Sequence, residues 1–472
     1  MSVDSARTTV DRIDLDTWAQ DFAGEIIQAG DPSYEEARKV WNESIQRHPA
    51  LIVRPTGTSG VVAAVAYARS HSLELALRGG SHSIAGFSTT DGGMVIDLSR
   101  MKGIRIDPQR RRAYVQGGVL WKELDKETQE FGLAVTGGLI SSTGVAGFTL
   151  GGGIGWLQRK HGLACDNLKS ADVVTVDGSF VHASENENSD LLWALRGGGG
   201  NFGIVTSFEF ELHPVGPDVM SGLMFFPGER AREILTFYRD FYEQAPNDVT
   251  LAAVMRLAPP APFLPEEVHG KPIIALAGMH AGPLDQAAQD LRSLKDLAEP
   301  IADLIAPRTY LQMQTLLDAS WQPGFQNYWK AEYLTGLPDD AIDVLVENLD
   351  TITSPLSDFK IPYLGGAIRD VPESDSAYGH RDAPMILNIN ARWTDEADAD
   401  RHIKWTRNLW EAMQPYSGGG TYTNFTSLDD QDRTPDSYGE AKYRRLSELK
   451  RRYDPENVLH LNQNILPATP RS

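Results

Sequence analysis

Three glycine clusters between residues 79 and 203 constrain this chain more than any other feature. They are Arg78-Gly79-Gly80-Ser81-His82-Ser83-Ile84-Ala85-Gly86, the stretch from Gly144 to Gly155, and Gly197 to Gly203. Glycine loses more backbone freedom on folding than any other residue, so repeated clusters imply backbone passing close to something bulky. The first cluster lies between two apolar runs, Leu73 to Leu77 and Gly93 to Leu98, and reads as a loop joining two strands. Its backbone N–H groups can converge on an anion, Arg78 adds charge, and His82 sits where an imidazole could reach the same group. The third contains Gly198-x-Gly200-x-x-Gly203, but a helical run (Asp190 to Leu195) precedes it and a strand follows. A dinucleotide-binding Rossmann turn needs the reverse order, so that fold is rejected.

A chain of 472 residues is too long for one ordinary core, and two domains are the default. From Leu51 to Pro214 short strand-like runs alternate with helical ones, the pattern of a layered α/β or α+β structure. After Pro214-Val215-Gly216-Pro217 the texture changes. Strands are predicted at Met220–Phe226, Leu251–Leu257, Pro272–Gly278, Asn327–Gly336, Lys360–Ile368 and Met385–Trp393, with helical runs between them. That is the pattern of an antiparallel sheet backed by helices. The tail from Gly418 ends in a helix (Tyr438 to Tyr453) and an Asn/Gln-rich extended segment, and the acidic cluster Asp429-Asp430-Gln431-Asp432 reads as a solvated loop.

Several chemistries are excluded or disfavoured. A net charge of −20 repels nucleic acid and anionic membranes. One cysteine, Cys165, permits neither an internal disulfide nor a thiolate metal cluster. No H-E-x-x-H is present, and Ser81 lacks the closing glycine of a nucleophile elbow. Residues 1–18 lack the basic head and apolar core of a secretory signal, and no apolar run approaches the ~20 residues that span a bilayer. The expected location is the cytoplasm.

The ordered set Arg78–Gly86, Asp97–Met101, Gly144–Trp156, Lys160–Asn167, Leu192–Gly203 and Tyr443 through Ile465 resembles the berberine-bridge-enzyme-like flavoproteins of the vanillyl-alcohol-oxidase superfamily, bacterial type. The resemblance runs from about Pro49 to Pro467, nearly the whole chain. It implies an α+β fold: a two-subdomain PCMH-type FAD-binding domain at 46–216, a substrate domain with an antiparallel sheet backed by helices at 217–417, and a C-terminal segment at 418–472 returning to the FAD domain.

The resemblance also assigns roles. Arg78, Gly79, Gly80, Ser81, Ser83 and Gly86 would hold the FAD pyrophosphate, and His82 would carry a covalent bond to the flavin 8α-methyl. Gly144, Val145, Gly147, Gly151, Gly152 and Gly155 would pass along the flavin and diphosphate, while Gly203, Ile204 and Val205 would contact the adenosine half. Asn424, Asn462 and Asn464 complete the cofactor set. Many relatives have a second link from a cysteine to the flavin, at a place corresponding to Ile140 or Ser141 here; Cys165 lies later, so a single histidyl link is expected.

For catalysis, the eponymous enzyme's glutamate base corresponds to Asn388, which has no useful basicity but can orient a substrate hydroxyl. Asn390 shares its face by strand alternation. Tyr422, in Tyr422-Thr423-Asn424, is the other candidate base, or else a wall of the pocket, and Tyr363, Trp321, Tyr328 and Trp329 could line the site. Val145 is compatible with an oxygen path. The implied activity is an oxidase that takes a hydride from a small alcohol, sugar or amine and passes the electrons to O2, giving H2O2. The alternatives are a dehydrogenase with another acceptor and a catalytically idle flavin-binding protein.

Overall fold

The computed structural model describes residues 12–469. The leader reading of residues 1–11 and the terminal residues 470–472 lie outside the described residues. The fold is α+β, with three main sheets.

The first sheet contains β1 (Gly24–Gln28), β2 (Leu51–Pro55), β3 (Leu75–Arg78) and β4 (Met94–Asp97), in the order β1-β2-β4-β3. β4 is parallel to both its neighbours, so the helix Thr58–Ser70 crosses over from β2 to β3. Val61, Ala64, Val65 and Ala68 fall at helical spacing and bury one face of that helix in the lobe's core.

The second sheet is antiparallel: β5 (Ile104–Asp107), β6 (Arg112–Gln116), β8 (Leu168–Val174), β9 (Phe180–Ser184) and β10 (Ile204–Glu211), in the order β5-β6-β10-β8-β9. The short β7 (Leu133–Ala134) pairs with β11 (His213–Pro214). Helix Ser189–Leu195 precedes the third glycine cluster and β10 follows it, the order opposite to a Rossmann turn.

The third sheet spans β12 (Asp218–Pro227), β13 (Val249–Leu257), β14 (Pro272–His280), β15 (Ala302–Asp303), β16 (Ala306–Thr309), β17 (Gln326–Leu334), β18 (Asp358–Pro362) and β19 (Met385–Trp393). Its order is β15-β12-β14-β13-β18-β19-β17, with β16 also paired to β12. Helices Ala231–Gln244, Asp339–Leu349 and Ala399–Met413 cover one face. Period-two alternation sends Met224, Ala253, Leu276, Phe359 and Ile389 into that helix-backed core. Their neighbours Leu223, Ala252, Ala275, Lys360 and Asn388 face the other way, onto a cavity.

The last helix, Glu440–Tyr453, returns to the second sheet, where Leu446, Leu449 and Tyr453 join a core with Trp193 and Phe202. Its Lys450 is fully buried, and its ammonium donates to Asn201 O at 3.0 Å, Asp454 Oδ2 at 2.8 Å and Leu459 O at 2.8 Å. All three donors are satisfied, which is what permits a buried lysine. Asn201 Oδ1 in turn accepts from the Ile465 N–H at 3.0 Å. The tail is thereby bonded to the third glycine cluster.

Two local readings are corrected. The predicted strand Lys360–Ile368 stops at Pro362, because Gly365 (φ 78°) and Gly366 (φ 56°) turn the chain into a short helix, Ala367–Asp370. The acidic cluster is not a solvated loop: Asp430 is buried and accepts from Lys330 Nζ at 2.5 Å, while Asp429 pairs with Arg407 at 2.8 Å. No helix of the described residues is long and apolar enough to cross a membrane.

Candidate functional site

A cavity of about 790 Å³ lies between the glycine loops and the open face of the third sheet. Cofactor and small-molecule sites fall in the range of roughly 300–1,000 Å³.

One wall is largely backbone. Gly79, Gly80, Ser81, His82 and Ser83 contribute to it from the loop after β3, and Gly144, Gly147 and Gly151 from the second cluster. Gly203, Ile204 and Val205 come from the start of β10, and Asn424 and Asn462 from the tail. Gly80 and Gly144 lie back to back, so a Cβ on either would overlap the other's backbone nitrogen. At Gly147 and Gly200, both on the wall, an added Cβ would meet no atom within 4 Å. These glycines shape a cradle that side chains would fill, and its length and amide lining fit a dinucleotide such as FAD.

His82 stacks on Trp41, with ring centroids 5.2 Å apart and planes 21° from parallel. Its Nε2 lies 3.0 Å from Ser142 Oγ, leaving Nδ1 without a protein hydrogen bond among the described residues. Burial lowers its pKa to about 4, so the imidazole is neutral at physiological pH. A neutral ring nitrogen is the form able to make a covalent bond. Trp41 also stacks on Trp321 (6.4 Å), whose ring carries Lys360 Nζ at 4.3 Å. A chain of contacts thus leads from the backbone wall to the sheet.

The sheet wall holds a polar cluster of which sequence reasoning named Asn388 and Asn390 but missed Lys360 and Asp358. In the register of β18 against β19, Lys360 opposes Asn388 and Asp358 opposes Asn390. Lys360 Nζ donates to Asp358 Oδ1 at 2.9 Å and to Asn390 Oδ1 at 2.5 Å, and burial lowers its pKa. Asn388 is fully buried on the cavity wall, yet neither its Oδ1 nor its Nδ2 has a protein partner. Lys360 lies 28 residues before Asn388 in the chain (388 minus 360), and only strand register unites them. A lysine two positions after an aspartate on a predicted strand was the available signal. Trp41 precedes the region the sequence reading covered, and gave none.

Several expected roles are corrected. Arg78 borders the cavity, but its guanidinium is engaged by protein: it donates to the carbonyls of Ser88 (3.1 Å), Ala37 and Arg38 (3.4 Å), and lies 3.9 Å from Asp97. It braces the loop from behind. Val145 packs in the core of the second sheet, and Ala146 faces the cavity instead. Gly86, Gly152 and Gly155 are not on the wall; a Cβ there would strike Ile45 (2.8 Å), Tyr378 (2.7 Å) and the Gly137 carbonyl, respectively. Asn464 is likewise off the wall. Asn390 reaches the site only through Lys360.

Tyr422 is not placed as a base. Its hydroxyl is buried off the cavity and accepts from the Gly153 N–H (2.9 Å), the Ile154 N–H (3.2 Å) and Asn424 Nδ2 (2.9 Å). Burial pushes its pKa up, the wrong direction for proton abstraction. Phe425, three residues on, is the aromatic that faces the cavity. Trp321 and Trp329 line it too, whereas Tyr363 bonds to the Tyr238 carbonyl and Tyr328 to Asp429 (2.7 Å).

Cys165 is buried, off the wall, with its thiol pKa raised by burial and by Asp166. Of the two positions that the resemblance matched to a second tether, Ile140 lies on the cavity wall and Ser141 donates to Asp318 Oδ2 at 2.6 Å; neither is a cysteine. Among the described residues no group of three or more His, Cys, Asp or Glu is arranged to hold a metal.

Residues 49–184 match the FAD binding domain family, and residues 421–466 match the berberine and berberine-like family. An FAD-linked oxidoreductase of Dictyostelium discoideum is 30% identical over 458 residues, covering 96% of this chain and 97% of the relative. The (R)-6-hydroxynicotine oxidase of Paenarthrobacter nicotinovorans is 30% identical over 462 residues, covering 94% and 97%. The crystal structure of 6-hydroxy-D-nicotine oxidase from Arthrobacter nicotinovorans superposes with a TM-score of 0.84 at 28% identity, over 95% of this chain and 98% of that one.

Proposed function

This chain belongs to the berberine-bridge-like FAD-linked oxidoreductases, and on that premise we propose that it is an oxidase with its flavin tethered to His82. The substrate is a small alcohol, sugar or amine, and O2 is the final acceptor. Bound FAD supplies a two-electron acceptor, so that an alcohol loses a hydride and a proton to become a carbonyl compound while O2 gains two electrons and two protons to become H2O2.

The observation that carries this reading is the position of His82. It is neutral, stacked by Trp41, bonded to Ser142 through one nitrogen only, and linked through Trp41 and Trp321 to the polar cluster of the sheet. The chain's own residues then divide the work. Gly147 and Gly200 leave open space in which the dinucleotide would lie, and the loop of residues 79–83 would hold its phosphates through backbone N–H groups. Asn388 offers one donor group and one acceptor to a substrate hydroxyl, and Asp358 and Asn390 hold Lys360 beside it.

A dehydrogenase using another acceptor is the second reading. Because Ala146 and not Val145 faces the cavity, a path for oxygen along the Val145 side chain has no support in the geometry. Peroxide measured in air during turnover separates the two readings. For the tether, wild-type protein should keep its yellow colour on the polypeptide after denaturation, and His82→Ala should release it. Wild-type protein that yields all its flavin to denaturant would sink the covalent assignment.

A further inference from the structure

The third sheet makes the substrate side of the cavity, and its chemistry is lopsided. On β12, β13 and β14 the residues facing the cavity are Leu223, Phe225, Ala252, Val254, Ala275 and Ala277, with Arg256 the one polar exception among the described residues. The segment Pro259-Pro260-Ala261-Pro262-Phe263 adds a rim on the same side, with Phe263 43% exposed and tilted against Phe225 at 5.4 Å. Beside this greasy surface, on the adjoining strands β18 and β19 of the same face, is one small polar patch: Asp358, Lys360 and Asn388.

That patch has free hydrogen-bonding capacity. Two of the three Lys360 donors are engaged, by Asp358 and Asn390; the third makes no hydrogen bond to protein among the described residues, and the ammonium lies 4.3 Å from the Trp321 ring. Asn388 has none at all. A buried polar side chain without a partner costs about 1–3 kcal/mol, so a ligand atom that satisfies it gains correspondingly. The charge balance is also uneven. Lys360 and Arg256 border the cavity with a single carboxylate, Asp358. Arg256 bonds only to the carbonyls of Leu257 (3.2 Å) and Pro355 (3.4 Å), while Arg392 is off the cavity wall, donating to Ser320 O (2.6 Å) and Gln322 O (3.0 Å). Two cations beside one anion favour an incoming oxygen that carries negative charge or readily acquires it.

We infer that the substrate is an apolar, ring-bearing molecule that presents one acidic or anionic oxygen to Lys360 and Asn388, and is not an oligosaccharide. This inference rests on the functional reading above and narrows its substrate class. A sugar would press many hydroxyls against Leu223, Phe225, Val254 and Ala277, where nothing can bond them. Each such hydroxyl costs about 1–3 kcal/mol. A flat ring system instead buries its faces there and meets the patch with its single oxygen. A phenol or enol and a carboxylate share this chemistry.

Calorimetric titration of the flavin-loaded protein under anaerobic conditions tests the inference, with 2-naphthoate, 2-naphthol, naphthalene and cellobiose as probes. One or both oxygen-bearing naphthalenes should bind at least about tenfold more tightly than naphthalene, as one charge-assisted hydrogen bond predicts. Cellobiose should bind more weakly than naphthalene. The tighter of 2-naphthol and 2-naphthoate identifies the oxygen source. Lys360→Met should erase the preference and Lys360→Arg should restore part of it. Because removing Lys360 leaves Asp358 unpaired and could unfold the protein, Asn388→Ala is the second variant: it breaks no protein hydrogen bond and should lower 2-naphthoate or 2-naphthol affinity about fivefold or more. Equal binding of naphthalene and both oxygenated probes, tighter binding of cellobiose, or an Asn388→Ala variant with unchanged affinities would each overturn the inference. Visible absorbance of the same samples reports the flavin independently, so a colourless protein would count against the functional reading and not against the ligand preference.

Discussion

On one side of the cavity the chain contributes backbone, and on the other it contributes side chains. The glycine wall is close-packed behind as well as open in front: Gly80 and Gly144 touch through their main chains, and Gly155 presses on the Gly137 carbonyl. At those contacts nothing can change without moving a loop, whereas Gly147 and Gly200 stand open to the cavity. The sheet wall separates its duties by alternation. Phe359 and Ile389 hold the helix-backed core, while Lys360, Asn388 and Val254 lie outside that core and face the cavity. The difference teaches where the molecule is rigid by necessity and where its chemistry is free to be rewritten: on the function proposed above, cofactor capture falls to the first wall and substrate choice to the second.

The harshest way to break this comparison is Gly80→Ala. Its methyl would meet backbone, which cannot rotate away, at a cost above roughly 3 kcal/mol. We expect no folded, flavin-loaded protein, read by soluble yield and circular dichroism. Gly147→Leu is the sharper variant, because its side chain enters open space and leucine suits a helix better than glycine. The protein should fold with unchanged melting but carry at least about tenfold less flavin per chain; normal flavin content would show that the cradle lies elsewhere.

On the opposite wall, Val254→Asp places a carboxylate across from Lys360 in strand register. Flavin content should stay at the wild-type level, while affinity for 2-naphthoate falls by about tenfold. A fall in flavin content instead would mean that the two walls are not separable. Tyr422→Phe probes a residue that belongs to the first wall's scaffolding. Two backbone N–H groups would lose their acceptor, lowering stability by about 1–3 kcal/mol in chemical denaturation. Flavin reduction by a wild-type substrate should remain within about threefold, where loss of a general base would cost ~100-fold or more.

The smallest effect is expected at Asp125, on the helix Trp121–Gln129, whose carboxyl meets Gln314 Nε2 at 3.1 Å between the second and third sheets' lobes. Burial raises its pKa from 3.8 to about 7. The folded state therefore holds a proton that the unfolded state has released between those pH values, and its stability declines as pH rises through them. Asp125→Asn removes this titration and offers an N–H to Gln314 Oε1, which has no partner. Its melting temperature should exceed wild type by roughly 2–5 °C at pH 8 and match it near pH 4.

The sequence exposed some of this architecture for identifiable reasons. Met385–Trp393 was predicted with the bounds observed, because its residues run without a glycine or proline and are buried on both faces. The glycine clusters were legible because no other residue explains them. What they did not reveal is which glycines face the cavity: Gly147 does, while Gly152 and Gly155 serve internal contacts, and all three look alike in a sequence. Tyr422 misled because a Tyr-x-Asn motif does not say which ring points outward; a single turn of the chain, Thr423–Phe425, gives that place to Phe425. Lys360 escaped notice because its meaning depends on pairing between β18 and β19, and register across strands far apart in the chain leaves no trace in either one.

The bond from Lys450 to Asn201 carries a consequence for how the molecule is made. The segments Thr423–Thr426 and Leu459–Gln463 supply part of the cavity wall, and this lysine clasps the second of them, at Leu459, to a loop synthesised some 250 residues earlier (450 minus 201). During translation the first two sheets can assemble while the ribosome still withholds the closing piece. A compartment whose wall includes Gln463 closes only once that residue has been made, and a product ending before Leu459 would have an open-sided vessel.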